Sequence, residues 1–592
     1  MPDQPNSLLR INNLNIHFKL GTKVIKAVDG LNLDINPGET VGLVGESGSG
    51  KTATALSILR LLNERNIYFK QGEILYQSPT LGIIDLMKVP TKTLTYIRGR
   101  EISMIFQEPF SALNPIMKVG KQVSEALEAH QRGKDKGFYR LKVLGLFEQV
   151  QFPQPEIIYN SFPHELSGGQ NQRILIAMAI ACKPPLIIAD EPTTALDVTI
   201  QTEILHLLQK LKSEINSSIL FVSHDLSVIS QMADRVAILK NGRLEEFQRT
   251  REIFSQPNTA YTLGLLACRP RLEIAMKRLP TLNEFNLNPK KDNVKPQTIS
   301  KILAKKRFSF SAIEKKRATL SKQKNILIVE DLKNYFRKGR NLFQSSTEIK
   351  AVDGVNLHLR EGEILGLVGE SGSGKTTLGK SILRLIEPSG GQVFFDGQMI
   401  SSLDFNQMRK IRKNMQMVFQ NPYASLNPFM TAGQAIMEPM KAHGILINGS
   451  QRKERAKTLL NQVNLPLSFF DRYPHQCSGG QQQRIAIARV LALDPQFIIF
   501  DESVSSLDVS VQAQILNLIN DLKESFRFSS IFISHDLSVI KFIADRVLVM
   551  KNGKIVEEGY PDVLYQNPQH AYTQKLIDSI PQADKKLMIQ AS

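Results

Sequence analysis

Cysteine is nearly absent from this chain: three residues in 592, at positions 182, 268 and 477. So few and so scattered, they exclude a disulfide framework and any cysteine-built zinc or iron–sulfur cage, and they fit a reducing compartment. Long apolar runs are missing too. The longest, Ile174 to Cys182, stops after nine residues at Lys183-Pro184-Pro185, well short of the roughly 20 that a membrane-spanning helix needs. The N-terminus shows no charged-then-apolar signal pattern. The chain is therefore expected not to cross a membrane. With 42% hydrophobic and 22% charged residues, collagen-like, coiled-coil and wholly disordered classes are also excluded. The length predicts about four compact units of roughly 150 residues, or two large ones, enough to bury several cores.

Acidic residues are in deficit, 56 against 74 Lys+Arg, for a net charge of +18. The deficit is local: residues 269–324 hold 16 Lys/Arg and 4 Asp/Glu. That stretch also contains Pro270, Pro280, Pro289 and Pro296 and little apolar periodicity, so it reads as an interdomain linker. A solvated tether is the plainer reading. A surface for anionic lipid or RNA is the sharper one.

The rest of the chain is written twice. AVDG recurs at 27–30 and 351–354, VGESGSGKT at 44–52 and 368–376, SGGQ at 167–170 and 478–481, and SHDLSVI at 223–229 and 534–540. The first half carries 13 extra residues, most of them between Lys51 and Gln107. The expected organisation is one domain over 6–268, a basic linker over 269–325 and a second domain over 326–592. ETVGLVG, LIIAD and SILFVS, with EILGLVG, FIIFD and SIFIS in the second half, are apolar on both faces, as buried parallel strands are, which predicts an α/β core. The stretch between the glycine-rich loop and LIIAD predicts a separate helical lobe.

Gly45-Glu46-Ser47-Gly48-Ser49-Gly50-Lys51-Thr52 fits GxxxxGK[ST], and Gly369-Glu370-Ser371-Gly372-Ser373-Gly374-Lys375-Thr376 repeats it. Such a loop turns backbone N–H groups toward phosphates, its lysine neutralises β/γ charge, and its threonine hydroxyl suits Mg²⁺. Each copy follows an apolar strand and precedes a helical pattern. Asp190-Glu191 and Asp501-Glu502 end two further strands. The aspartates suit a Mg²⁺ shell through water, and the glutamates suit polarising an attacking water. Helix capping is the structural alternative for such strand-end acids. His224 and His535 each follow 34 residues after the aspartate, and this repetition predicts a contact with the γ-phosphate rather than a structural role.

With these elements in place the chain resembles a tandem ATP-binding-cassette (ABC) ATPase over nearly its whole length except the linker. The decisive motif is LSGGQ at 166–170, with CSGGQ at 477–481. The resemblance implies two P-loop NTPase domains of α/β class, each with a RecA-like core, a β-subdomain and a helical subdomain. It implies that Ser167 and Gly169, with Ser478 and Gly480, cap the γ-phosphate held by the opposite cassette. Gln107 and Gln420 resemble glutamines that sense Mg²⁺ and the transmembrane partner, Asp197 and Asp508 resemble a loop joining the two sites, and Phe18 and Phe336 resemble adenine-stacking aromatics. A core-strand role for Phe18 and Phe336 is the alternative, and Tyr335 competes in the second half.

FQEPFSALNP and FQNPYASLNP, with AYTLGLL (260–266) and AYTQKLI (571–577), resemble importers of dipeptides, oligopeptides and nickel. The fusion of two cassettes resembles the ATPases of glutathione importers and of microcin C/oligopeptide importers, with LSILRLL and MIFQEP leaning to the latter. Cys477 replaces the usual leucine of the signature and Ser503 the usual proline after Asp-Glu; neither change removes a polar group from nucleotide, so both sites are expected to be active. The implied cofactors are ATP and Mg²⁺. The cysteine-rich extension of some relatives is lacking, so no further metal is expected. The implied partners are two integral-membrane permeases at the cytoplasmic face of the inner membrane and, indirectly, an extracytoplasmic solute-binding protein. Nucleic acid is not expected, and homodimerisation is not required. A soluble tandem ATPase acting on ribosomes is the competing expectation.

Overall fold

The computed structural model describes residues 7–20, 23–194, 196–272, 274–285, 302–338, 347–505 and 507–580. The first residue of the expected first domain, Ala195, Ser506, the linker prolines Pro289 and Pro296, and the last twelve residues lie outside the described residues.

Strands Thr40–Val44, Leu186–Asp190 and Ser218–Ser223 are buried at every position, as strands covered on both faces must be. They lie in one six-stranded sheet in the spatial order Arg243–Arg249, Arg235–Lys240, Thr40–Val44, Ser218–Ser223, Leu186–Asp190, Ile102–Ile105. All neighbours are parallel except the edge strand Arg243–Arg249. The second half repeats the order with Lys554–Gly559, Arg546–Lys551, Ile364–Val368, Ser529–Ile533, Phe497–Asp501 and Met415–Val418. The glycine-rich loop therefore leaves a central strand, with the histidine strand beside it and the Asp-Glu strand next along. All three end on the same edge, where parallel sheets bind ligands.

A four-stranded antiparallel sheet accompanies each core. In the first half it is Leu9–Leu20, Lys23–Ile35, Ile67–Ser78 and Gly82–Asp85; in the second, Asn325–Lys338, Thr347–Arg360, Gly390–Phe395 and Gln398–Met399. Part of the first half's extra length sits here, since Ile67–Ser78 has 12 residues and its counterpart Gly390–Phe395 has 6. The helical lobe expected before LIIAD is present as Val119–His130, Lys136–Gln149, Pro155–Asn160 and Gly168–Ile180. Val123, Phe147 and Ile174 bury there in a cluster continuous with the sheet residues Ile187 and Phe221, so lobe and sheet share a core.

The basic segment differs from a solvated tether. Met276, Leu279 and Leu303 are buried in the core cluster of the second half. Leu279 donates its N–H to Asn517 Oδ1 and accepts from Asn517 Nδ2, both at 2.9 Å. Arg278 meets Asp521 through two contacts of 2.7 and 3.1 Å. The helix Phe310–Leu320 is tied down by Lys316 to Asp545 at 2.5 Å and by Arg317 to Asp562. The basic surplus is thus partly matched by acids of the second half. No helix of the described residues is long and apolar enough to cross a membrane.

Candidate functional site

The phosphate loops are built alike. Gly50 and Gly374 both stand at φ 105°, and a Cβ at either would run into the carbonyl of Ala27 or Ala351, so only glycine lets the loop pass that strand. Lys51 Nζ donates to the carbonyls of Gly45 and Glu46 at 2.7 and 3.0 Å. Lys375 does the same to Gly369 and Glu370 at 2.7 and 2.9 Å. Both ammonium groups are therefore parked inside their own loops, and Ser49 and Ser373 are buried with hydroxyls that have no partner.

The carboxylate pairs stand opposite. Thr52 Oγ1 donates to Asp190 at 3.3 Å and Thr376 Oγ1 to Asp501 at 2.9 Å. Burial, and then the neighbouring Glu191, push Asp190 up to about 6, and Asp501 is raised chiefly by burial. A buried carboxyl in that state gains from a cation beside it. The pairing of hydroxyl and carboxylate next to a phosphate cradle fits Mg²⁺, which takes one or two protein ligands and completes its shell with water and phosphate. Among the described residues no cluster of three or more His, Cys, Asp or Glu side chains offers a metal cage.

Glu191 and Glu502 hold φ of +48° and +44°, a left-handed conformation that costs a non-glycine residue of order 1 kcal/mol or more. Each is pinned there by its N–H, which donates at 3.0 Å to Val222 or Ile533 on the neighbouring strand. Glu191 Oε2 receives Gln107 Nε2 at 3.0 Å and Thr194 Oγ1 at 2.9 Å, and lies 3.2 Å from His224 Nδ1. Glu502 Oε2 receives Gln420 Nε2 at 2.9 Å and lies 3.4 Å from His535 Nδ1. Burial opposes ionisation of Glu191, but the hydrogen bond and charge of His224 prevail and hold it down to about 2. The same balance lowers Glu502. Both histidines are half-buried, and although desolvation opposes it, their glutamates raise them above the ordinary range. Each glutamate is thus an ionised base at neutral pH. The histidines expected at a γ-phosphate are engaged with the glutamates here, a link that the fixed spacing did not specify.

Ser167 caps the helix Gly168–Ile180 and forms a box with Gln170, at 3.3 Å to the Gln170 N–H and 2.9 Å back to the Ser167 N–H. Ser478 N–H donates to Gln481 Oε1 at 2.9 Å before the helix Gly479–Leu491. Gly169 and Gly480 pack so tightly on Ile200 and Val511 that a Cβ would collide. Among the residues that reach across to the opposite half are the two aspartates of TALD and SSLD. Asp508 accepts the N–H of Ser47 at 2.7 Å, and Asp197 accepts the N–H of Ser371 at 3.3 Å. A cavity of about 200 Å³ at the second site is lined by Asp197 of the first half together with Lys375, Thr376, Gln420, Glu502 and His535. Ser167 and Gly169 are not among its lining residues.

The aromatic positions diverge. Phe18 lies partly buried against the core cluster of the first half, whereas Phe336 is 39% exposed. Tyr335 commits its hydroxyl to Asp353 at 2.6 Å. Thr194, which steadies Glu191, was not singled out by sequence; its only signal is its place three residues after the glutamate.

The family described as ABC transporter matches this chain at residues 28–194 and 352–505. The family described as oligopeptide/dipeptide transporter, C-terminal region, matches at residues 246–294 and 556–591. The glutathione import ATP-binding protein GsiA of Escherichia coli strain K12 is 41% identical over 580 residues, covering 98% of this chain and 90% of that protein. Its counterpart in Shigella sonnei strain Ss046 is likewise 41% identical over 580 residues, with the same coverage.

Proposed function

The chain belongs to the ABC transporter ATPase family, and from that premise we propose that it is the ATP-binding and ATP-hydrolysing subunit that energises a membrane importer of peptides, glutathione included. The observation that supports this most directly is the crossing of Asp508 and Asp197 onto the opposite phosphate loops. Each ATP site is then a joint product of both halves, and one chain supplies the pair. The two tail regions that match the oligopeptide/dipeptide transporters, one after each cassette, support peptides as the cargo class.

In this reading, site one combines Lys51, Asp190, Glu191 and His224 with Ser478 and Gly480. Site two combines Lys375, Asp501, Glu502 and His535 with Ser167 and Gly169. Thr52, Gln107 and Asp190, or Thr376, Gln420 and Asp501, would hold Mg²⁺, which when bound neutralises charge on the phosphates. Phosphoryl transfer to water asks mainly for positioning and for charge stabilisation. Glu191, ionised and clamped by Gln107, Thr194 and His224, orients the attacking water and accepts its hydrogen bond. Lys51, released from the loop carbonyls, neutralises the β/γ oxygens. Closure of the halves brings the signature N–H groups and the positive end of the following helix to the γ-phosphate. ATP thereby holds the halves together, and hydrolysis releases them.

Two separate permeases docking near Gln107 and Gln420 would convert closure into a change of access, with a solute-binding protein delivering cargo from outside. Exposed Phe106, Phe110 and Ile116 in the first half, and Phe419, Tyr423 and Phe429 in the second, flank those glutamines in sequence and would be available to a docking protein. A gentle affinity pull-down of the full chain from membrane extracts tests the reading. Two multi-span permeases should co-purify and restore ATP-dependent peptide uptake in vesicles. Ribosomal proteins without a permease would overturn it.

A further inference from the structure

The tail helices reach the phosphate loops of their own halves. Tyr261, in the helix Ala260–Ala267, accepts the N–H of Glu46 at 3.4 Å and donates to Glu46 Oε2 at 3.4 Å. Tyr572, in the helix Ala571–Asp578, accepts the N–H of Glu370 at 2.9 Å. Both rings are buried. Each lies beneath a lysine that ends the strand next to the loop strand, Lys240 at 4.7 Å and Lys551 at 4.8 Å. Burial raises both phenols, so the hydroxyls stay protonated at neutral pH.

The N–H that each tyrosine accepts belongs to the same peptide unit as a carbonyl already in use. Gly45 C=O and Glu46 N–H are two ends of one planar group, and Gly45 C=O receives Lys51 Nζ at 2.7 Å. In the second half Gly369 C=O receives Lys375 Nζ at 2.7 Å. A peptide plane held at both poles cannot rotate without breaking one contact. We propose that Tyr261 and Tyr572 are positioning residues of the two ATP sites: each locks the first peptide of its phosphate loop from outside, and so fixes the carbonyl that poises the phosphate-binding lysine. This rests on the ATP-site reading above and gives the tail region a role in nucleotide binding.

The two locks are unequal. In the first half the Glu46 carboxylate is shared between Tyr261 and Ser510 of the opposite half, and the Tyr261 contact with the peptide N–H is the longer one. In the second half the counterpart of Ser510, Thr199, is buried with a hydroxyl that has no partner. Site two therefore depends on its tyrosine more than site one does.

The test uses the full-length chain with one site disabled by Lys51→Ala or Lys375→Ala, and titrates ATP by binding and by turnover. With site one disabled, Tyr572→Phe keeps the ring under Lys551 and removes only the hydroxyl. It should raise the ATP Kd and KM roughly fivefold, the order a single neutral hydrogen bond supplies, with kcat within about twofold. With site two disabled, Tyr261→Phe should raise them by about twofold. Unchanged Kd and KM for Tyr572→Phe overturn the proposal, and so does a lower melting temperature with no change in Kd. A parent chain that binds no ATP at either site sinks the ATP-site reading itself, which is a distinguishable failure.

Discussion

Asp508 and Ser47 stand 461 residues apart, yet the carboxylate of one accepts the backbone N–H of the other at 2.7 Å. The first phosphate loop is therefore partly shaped by the second half. Asp197 makes the reciprocal contact with Ser371 at 3.3 Å. Asp508→Ala should lower ATP turnover at site one by roughly tenfold, the order expected for a hydrogen bond to a charged group. Asp197→Ala, with the longer contact, should cost site two less. Turnover of each variant with the other site disabled by its loop-lysine substitution checks both effects. Equal losses would show that the difference in length has no energetic meaning.

Glu191→Gln combined with Glu502→Gln keeps the shape of both side chains and removes the ionised base. Steady-state hydrolysis should fall by about 10² to 10⁴, while ATP remains bound after gel filtration. Rapid nucleotide loss from the double variant would contradict a water-orienting role.

The linker makes a prediction about stability and shape. Asn517 satisfies both polar groups of Leu279 in a buried setting, so Asn517→Leu leaves an N–H and a C=O without partners. The cost should be about 2 kcal/mol, measured by urea unfolding. Trypsin should also cut the Lys/Arg-rich segment faster in the variant than in the parent. Equal cutting rates would return the segment to the status of a loose tether.

Acid should loosen the same region. Burial opposes ionisation of Asp545, but Lys523 and Lys316 prevail and hold its carboxyl below the ordinary range. A carboxyl whose folded pKa is depressed contributes stability that is present above the unfolded value, near 4, and is lost as pH falls through the folded value. Melting curves of the parent and of Asp545→Asn should differ at pH 7, by about 3 kcal/mol for a buried pair that loses one partner. They should converge as pH falls below the folded value of Asp545.

Much of the site could be read from the sequence because its parts are local. The GxxxxGK[ST] loops, the apolar runs ending in Asp190-Glu191 and Asp501-Glu502, and the Ser167 cap each obey rules that act over fewer than about ten residues. Strand LIIAD, for instance, is Leu186–Asp190 in the structure. What escaped depends on folding the chain back on itself. Tyr261 reads as one more apolar residue of a tail helix, and only the fold brings it to Glu46, 215 positions away. Met276, Leu279 and Leu303 were hidden among charges without periodicity, so their burial against the second half left no sequence signal. The pairing of His224 with Glu191 escaped for another reason: constant spacing predicts proximity to the site but not which partner the imidazole takes.

The most direct test of the central claim, two ATP sites each built from both halves, is turnover by Ser478→Arg in a chain already disabled at site two by Lys375→Ala. Ser478 lies in the second half and the remaining active loop, around Lys51, lies in the first. Loss of the remaining hydrolysis is the result expected if the signature of one half completes the site of the other. Undiminished turnover would mean that the halves work independently, and would contradict the head-to-tail arrangement.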